Sequence, residues 1–565
     1  MHIRVLTTMV LLNWWTCGCG GGSDSSPATE AAAGFFADAS ARLVPPFSHN
    51  PAVEGKYEMF ENIGSGGGLV DIDNDGDLDI ILLNGAWRDS AAANAPLPNR
   101  LYRQEGDGRF VEISEAAGLG DSGYSMGLAS GDIDNDGDID LYITQYGPDL
   151  LYRNNGDGTF SEIGAAAGIN NPRWGCSAAF ADFDGDGYLD IFVVNYVHFD
   201  PDITCSDRAG RPDYCGPHAY PGENDVLFIN RGDGTFRDNS AAAGIADSPG
   251  KGLGITVFDA DDDGDADVYV SNDSEANFLW INDGRGHFLE EGVAFGLALN
   301  ENGQAEAGMG IALGDADGDG DADVLVAHLR GESNTLYRND GGSFRDRSEW
   351  SGVAGTSLPM TGFGAAFLDA DNDGDPELAV VNGRVTRGPR MGPARPNDFW
   401  ADYAEPNLFY VNEGAGKFRA AGGLGGAFSS AVHNSRGLAV GDVDNDGGLD
   451  LLVMNEGGPA RLLKNTAPGR GNWLMVRAVD PRYRRIATGA RVIVYAGGKR
   501  LVRLVDPACG FLSAHDSRTH FGLGEAETAD SMIVLWPDGL LERFPGVAAN
   551  RHILLSRGNG EAYHD

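Results

Sequence analysis

Seven times along the chain, acidic residues stand at the first, third, fifth and ninth places of a nonapeptide whose sixth place is glycine. The first copy reads Asp-Ile-Asp-Asn-Asp-Gly-Asp-Leu-Asp from Asp71 to Asp79, and the others begin at Asp132, Asp182, Asp259, Asp315, Asp369 and Asp442. In a tight loop, alternate side chains project to one concave side, so three carboxylates converge. Glycine admits the positive φ that aims the seventh carbonyl inward. Six to eight oxygen ligands at about 2.3–2.6 Å is the coordination that Ca²⁺ takes. The candidate ligands are therefore Asp71, Asp73, Asp75 and Asp79; Asp132, Asp134, Asp136 and Asp140; Asp182, Asp184, Asp186 and Asp190; Asp259, Asp261, Asp263 and Asp267; Asp315, Asp317, Asp319 and Asp323; Asp369, Asp371, Asp373 and Glu377; and Asp442, Asp444, Asp446 and Asp450. Up to seven Ca²⁺ are expected. The closing acid at nine and the apolar run that follows it set these loops apart from the EF-hand, which closes with Glu at twelve and continues as a helix. In the sixth loop Glu377 replaces Asp and follows Pro376, so this loop is expected to be the weakest.

Other chemistry is thinly signalled. Gly123-Tyr124-Ser125-Met126-Gly127 fits the nucleophile-elbow pattern, but it lies where the other repeats place a Gly-rich strand, so a core strand is expected. Arg231-Gly232-Asp233 falls in a repeated hairpin and is read as coincidence. No zinc-protease helix, phosphate loop or dinucleotide fingerprint is present.

The elements that must hold the loops also repeat. Before each loop runs a Gly/Ala-rich strand such as Met309-Gly310-Ile311-Ala312-Leu313-Gly314, and after it an apolar strand such as Ile191-Phe192-Val193-Val194. Then come segments such as Leu151-Tyr152-Arg153-Asn154-Asn155-Gly156-Asp157-Gly158-Thr159-Phe160, where Asn-Gly and Asp-Gly between apolar pairs mark a hairpin. Four strands per unit at a spacing near fifty residues predict an all-β propeller. The seventh unit lacks its last strand, and Phe35-Phe36-Ala37-Asp38-Ala39-Ser40 is expected to supply it.

These units resemble FG-GAP/VCBS repeats, the blades of integrin α-chain propellers. That resemblance implies seven blades with calcium in the hairpin between the first two strands of each. Beyond Gly471 the pattern changes. Asn472-Trp473-Leu474, Gly489-Ala490-Arg491-Val492, His520-Phe521-Gly522-Leu523-Gly524 and Trp536-Pro537-Asp538-Gly539 resemble the ASPIC/UnbV domain of the cartilage acidic protein-like family. The expected organisation is a signal at 1–19, a flexible tether at 20–34, a seven-bladed propeller over 35–470 and a smaller antiparallel β domain over 471–560.

Net charge is −43, which argues against nucleic acid and anionic membrane surfaces as partners. Of the 84 acidic residues, 34 stand in the seven nonapeptides, so bound calcium would relieve much of their mutual repulsion. Such a composition suits a calcium-rich, non-cytosolic compartment. Arg4, the apolar run Val5 to Trp15 and Cys19 followed by a Gly/Ser tether resemble a bacterial lipoprotein leader with Cys19 as the lipid-bearing residue. Thr16 departs from that pattern, and an ordinary cleaved signal is the alternative. No other stretch could span a bilayer. Cys205 and Cys215, ten residues apart, suggest a disulfide in an oxidising compartment, with a metal pair or free thiols as alternatives. Cys176 and Cys509 read as small buried hydrophobes.

Three insertions, Ala86 to Pro98, Val197 to Gly222 and Val385 to Pro406, fall between second and third strands, on the face opposite the acidic loops. They and the adjacent strand ends carry Trp87, Arg88, Tyr196, His198, Tyr214, His218, Tyr220, Arg384, Arg387, Arg390 and Trp400, with His328 and Arg330 nearby. They are either a ligand surface for an extracellular protein or glycan, or a packed cover. Two functions follow as expectations: a surface or secreted binding module, or an enzyme acting on a polysaccharide or secondary metabolite in a pocket that joins His198, His218, His328 and Arg384.

Overall fold

A computed structural model describes residues 34–51, 56–85, 98–121, 123–392, 399–505 and 510–563. The leader with Cys19, the tether, Trp87, Arg88 and Cys509 lie outside the described residues.

The chain is all-β. Each nonapeptide joins the first two strands of a four-stranded antiparallel unit, as in Ser125–Gly131, Asp140–Gln145, Leu150–Asn154 and Phe160–Glu162. There are seven such units, here called sheets 1 to 7 in the order of their acidic loops. In sheet 7 the fourth strand is Phe36–Asp38, which pairs antiparallel with Arg461–Asn465, the place that the sequence reading assigned to it. Between sheets, four-residue helical turns such as Gly164–Ala167 end at a glycine in the left-handed region, Gly168 at φ 85°.

Second strands are apolar on both faces because a sheet lies on either side. Val70, Ile81 and Leu101 of sheet 1 pack with Leu141 and Ile143 of sheet 2. Ala179, Phe192 and Leu227 of sheet 3 pack with Ile255, Val268 and Trp280 of sheet 4. Sheet 7 meets sheet 1 in the same manner, through Ala439, Leu452 and Leu462 against Leu69, Ile80 and Tyr102. First strands need small residues for a measurable reason. A Cβ on Gly127 would stand 2.2 Å from the Cys176 carbonyl oxygen, and one on Gly310 would stand 2.1 Å from that of Phe363.

The C-terminal strands form two further sheets around Trp536, Phe521 and Val492. Between their strands, residues 510–516 reach in among the first strands of the repeats. The Leu512 carbonyl accepts from Gly67 N–H (3.2 Å) and Leu128 N–H (3.3 Å), and Gly510 exchanges backbone bonds with Ile255. Leu512 N–H donates to Ser177 Oγ, Phe511 packs on Phe363 and Val440 N–H donates to His515 Nδ1. Six of the seven sheets thus touch one short segment. Among the described residues no helix is long and apolar enough to cross a membrane.

Candidate metal centres

Each acidic loop is braced by its own backbone. The first-position carboxylate accepts the N–H of the sixth-position glycine, as Asp132 Oδ2 does from Gly137 at 2.9 Å and Asp182 Oδ2 from Gly187 at 2.9 Å. The fifth-position carboxylate accepts the N–H of position seven, as Asp75 does from Asp77 at 2.9 Å. The loop turns through positive φ twice, at Asn74 (58°) and Gly76 (91°) in the first copy, and the other six repeat this. Position four, which sequence reasoning passed over, is Asn, Gly or Asp throughout, the residues that tolerate the left-handed region.

The ninth residue ties the hairpin to the rest of its sheet. Asp190 accepts from Phe183 N–H at 2.9 Å through one oxygen and from Asn230 N–H at 2.8 Å through the other. Glu377 makes the same pair, with Ala370 (2.9 Å) and Asn412 (3.4 Å), so its longer arm fills the role of Asp.

The remaining oxygens converge. Oxygens of Asp71, Asp73 and Asp75 lie within 4.8 Å of one another, as do those of Asp132, Asp134 and Asp136; Asp182, Asp184 and Asp190; Asp259, Asp261 and Asp263; and Asp315, Asp317 and Asp323. Several are buried with no hydrogen-bond donor: Asp71, Asp182, Asp259 and Asp369 Oδ1 at position one, and Asp134, Asp371 and Asp444 Oδ1 at position three. A buried carboxylate oxygen without a donor is costly unless a cation faces it. Burial pushes Asp79, Asp140, Asp190, Asp267 and Asp323 up to about 8 and Glu377 to about 9. It raises Asp71, Asp132, Asp182 and Asp442 to about 6 and Asp369 to about 7. All-oxygen, clustered, partly donor-less and desolvated, this set fits a hard divalent ion.

Loop seven differs. Lys464 Nζ bridges Asp444 and Asp446, and Arg470 Nη1 donates to Asp446 Oδ1 at 2.9 Å. Burial alone would raise Asp446, but these two cations hold it below the usual carboxylate range. In loop five Arg338 Nε stands 2.9 Å from Asp317 Oδ2.

Asparagines stitch neighbouring loops together. Asn154, Asn230, Asn282, Asn412 and Asn465, each the last residue of a third strand, donate Nδ2 to the second-position carbonyl of the preceding loop, at 2.8–3.0 Å. The side chain at position four donates to the sixth-position carbonyl of the next loop from Asn74, Asn135, Asn372 and Asn445, the last reaching from loop seven to Gly76 of loop one.

Basic side chains of the C-terminal domain cover the loop face. Arg477 donates to Asn74 Oδ1, Arg485 to Asn135 Oδ1 and the Gly187 carbonyl, and Arg491 to Asp259 and Asp262. Lys499 donates to the Asp373 carbonyl and Asp375, and Arg518 to Asn445 and the carbonyls of Gly76 and Asp442. Only their repeated basic character, in a strongly acidic chain, could have marked them in the sequence.

With this geometry in view, comparison with known proteins is informative. A model of the FG-GAP-like repeat matches residues 71–143, 132–193, 259–326 and 315–380, and the ASPIC and UnbV model matches residues 481–562. The chain carries FG-GAP-like repeats and a C-terminal ASPIC and UnbV domain. Cartilage acidic protein 1 of Xenopus tropicalis is 27% identical over 325 residues, 55% of this chain and 38% of that protein. The Homo sapiens protein is 26% identical over 365 residues, 60% of this chain and 50% of that one. The chain thus spans half or less of the length of these two relatives. Among solved structures, an Agrocybe aegerita lectin described as recognising non-reducing terminal N-acetylglucosamine matches at 19% identity and a TM-score of 0.35, over 65% of this chain and 82% of that one. BBS1N in complex with ARL6DN matches at 9% identity and a TM-score of 0.38, over 77% and 99%. At such scores neither likeness carries an argument.

On the face opposite the FG-GAP loops, the insertions that begin at Val197 and Val385 engage one another. Tyr403 Oη and Arg387 N–H both donate to Asp213, Arg387 Nη2 donates to Tyr57 and Arg390 to Asp402, and Tyr214 stacks on Trp400. Arg384 is buried on Glu405 (2.9 Å), Tyr196 on Asp273 (2.6 Å), and His328 is buried beside the Ser333 carbonyl, its basicity lowered by desolvation. Tyr220 is buried against Phe199, while His198, His218 and Arg330 are exposed, His198 pairing with Glu223. Cys205 and Cys215 are bonded at the base of a short hairpin, and Cys176 is buried and free. Ser125 lies in a core strand and accepts from Asn99 and Gln145.

Proposed function

We propose that this protein is an exported, calcium-stabilised seven-bladed β-propeller with a C-terminal cap, working as a binding module for an extracellular protein or glycan. The seven sheets are its blades, over about residues 35–470, and residues 471–560 are the cap. The packing of sheet 7 on sheet 1 and the completion of sheet 7 by Phe36–Asp38 support a closed ring. The leader directs export, with Cys19 as lipid anchor at the outer membrane or cell surface, or with release into the periplasm or medium.

Calcium is the ion that the loops select. FG-GAP repeats often bind it, and the observation that carries the reading is the set of buried, donor-less carboxylate oxygens at positions one and three. Calcium would supply local positive charge there. The chain's own residues do the rest: backbone N–H groups orient the carboxylates, and asparagines lock each loop to the next. Extracellular modules bind calcium with dissociation constants of about 10⁻⁴–10⁻³ M. At tenfold excess each site stabilises the fold by roughly 1.4 kcal/mol. Elemental analysis of undialysed protein should find several Ca²⁺ per chain, and excess EGTA should lower Tm. An ion-free protein whose Tm ignores EGTA would refute the reading. The enzyme alternative requires His198, His218, His328 and Arg384 in one pocket, and the separate buried settings of His328 and Arg384 give it no support.

A further inference from the structure

Between the first two loops and the C-terminal domain lies a cavity of about 550 Å³, within the roughly 300–1,000 Å³ that ligand pockets occupy. Its walls are mostly apolar, with Leu69, Leu78, Leu189 and Met475 buried on the inner side and Ile486 beside them. Leu554, 63% exposed, stands at its edge. Polar groups converge from both domains. Arg477, Arg485 and Arg518 come from the cap, and Asp71, Asp75, Asp77, Asp132 and Asp516 face them. Arg518 is taken up by Asp516 at 2.8 Å. Arg477 keeps a buried Nε–H that no acceptor meets, although its Nη2 donates to Asn74.

We propose that this cavity binds a small amphipathic carboxylate, its apolar body against the leucines and its head group on Arg477 and Arg485, and that it does so only when loops one and two hold divalent ions. The proposal rests on the calcium reading above. Carboxylates outnumber guanidiniums in the bare lining, so an anion would be repelled. Two divalent ions in loops one and two reverse that sign, which turns the cap-facing side of the loops into an anion seat. The Arg477 Nε–H, which otherwise lacks an acceptor, is then satisfied by a charge-assisted bond, the strong kind in a desolvated setting.

The probe is decanoate, with decanol as its neutral counterpart, titrated calorimetrically into the full mature chain while a parallel titration counts calcium. Calcium-loaded protein should bind one decanoate, and decanol at least about tenfold more weakly. EGTA should abolish binding. Arg477→Met should weaken it about tenfold at unchanged calcium stoichiometry, and Thr488→Trp, from the cap side of the lining, should block it. Normal calcium uptake with no decanoate binding, equal binding of decanol, or binding untouched by either variant overturns the cavity assignment and leaves the calcium reading standing. Absence of calcium uptake removes both.

Discussion

The asparagine that ends the third strand of sheets 2 to 7 offers a sharp test of how the loops are held. In Asn230→Ala, the chain loses the bond from Nδ2 to the Ile133 carbonyl of the neighbouring sheet (2.8 Å), the bond to the Leu189 carbonyl (3.0 Å) and the Gly232 N–H bond to Oδ1 (3.0 Å). Both bonds to these carbonyls are buried. At about 1 kcal/mol per lost bond, the cost is about 3 kcal/mol. Asn339 is the internal control. It reaches only the Ala322 carbonyl of its own sheet, at 3.3 Å, and accepts from Gly342 at 2.8 Å, so it lacks the bond across sheets. Asn339→Ala loses two bonds and should therefore cost about 2 kcal/mol. Guanidinium unfolding of both variants in saturating calcium, followed by tryptophan fluorescence, gives the comparison. Equal destabilisation, or a cost below about 1 kcal/mol for Asn230→Ala, would show that the stitching between sheets is not where stability resides.

Three further outcomes are expected. Lys464→Ala, which removes the ammonium bridging Asp444 and Asp446, should tighten calcium binding at loop seven about tenfold or more, read as one extra strong site in a calorimetric titration. In EGTA, Tm should fall between pH 5 and pH 8. Asp79, Asp140, Asp190, Asp267 and Asp323, at about 8, and buried Asp149 and Asp225, at about 7, carry protons in the folded state that the unfolded chain has already released. The native state then binds more protons, so stability declines as pH rises, and saturating calcium should flatten or reverse the slope in scanning calorimetry. Phe511→Ala empties a fully buried place among the first strands and should cost about 3–5 kcal/mol by chemical denaturation, with faster proteolysis of the C-terminal domain than of the repeats.

Much of this molecule is written locally. A nonapeptide with carboxylates at one, three, five and nine and glycine at six sets a turn by its own backbone needs, because position six must accept positive φ and the acids must meet N–H groups a few residues away. The four-strand unit is equally legible, since Asn-Gly and Asp-Gly hairpins and period-two apolar runs are short-range signals, and the small residues of Met309 to Gly314 announced a strand crowded by its neighbour. Even the displaced strand at Phe36–Asp38 could be read, as the missing fourth part of a repeat. What the chain order could not reveal is where distant groups meet. Asn230 looks like any hairpin asparagine until the carbonyl of Ile133, 97 residues earlier, is seen above it. Arg477, Arg485, Arg491 and Arg518 are surface-like residues by composition, and only docking of the C-terminal sheets turns them onto the acidic loops. The insertions on the other face carried aromatic and basic residues suited to a ligand. Tertiary packing decided that many of them would bury one another, because Asp213 of one insertion meets Arg387 and Tyr403 of another and Tyr57 arrives from a distant part of the chain. Local chemistry made the cradles; long-range packing chose which charges would stand over them.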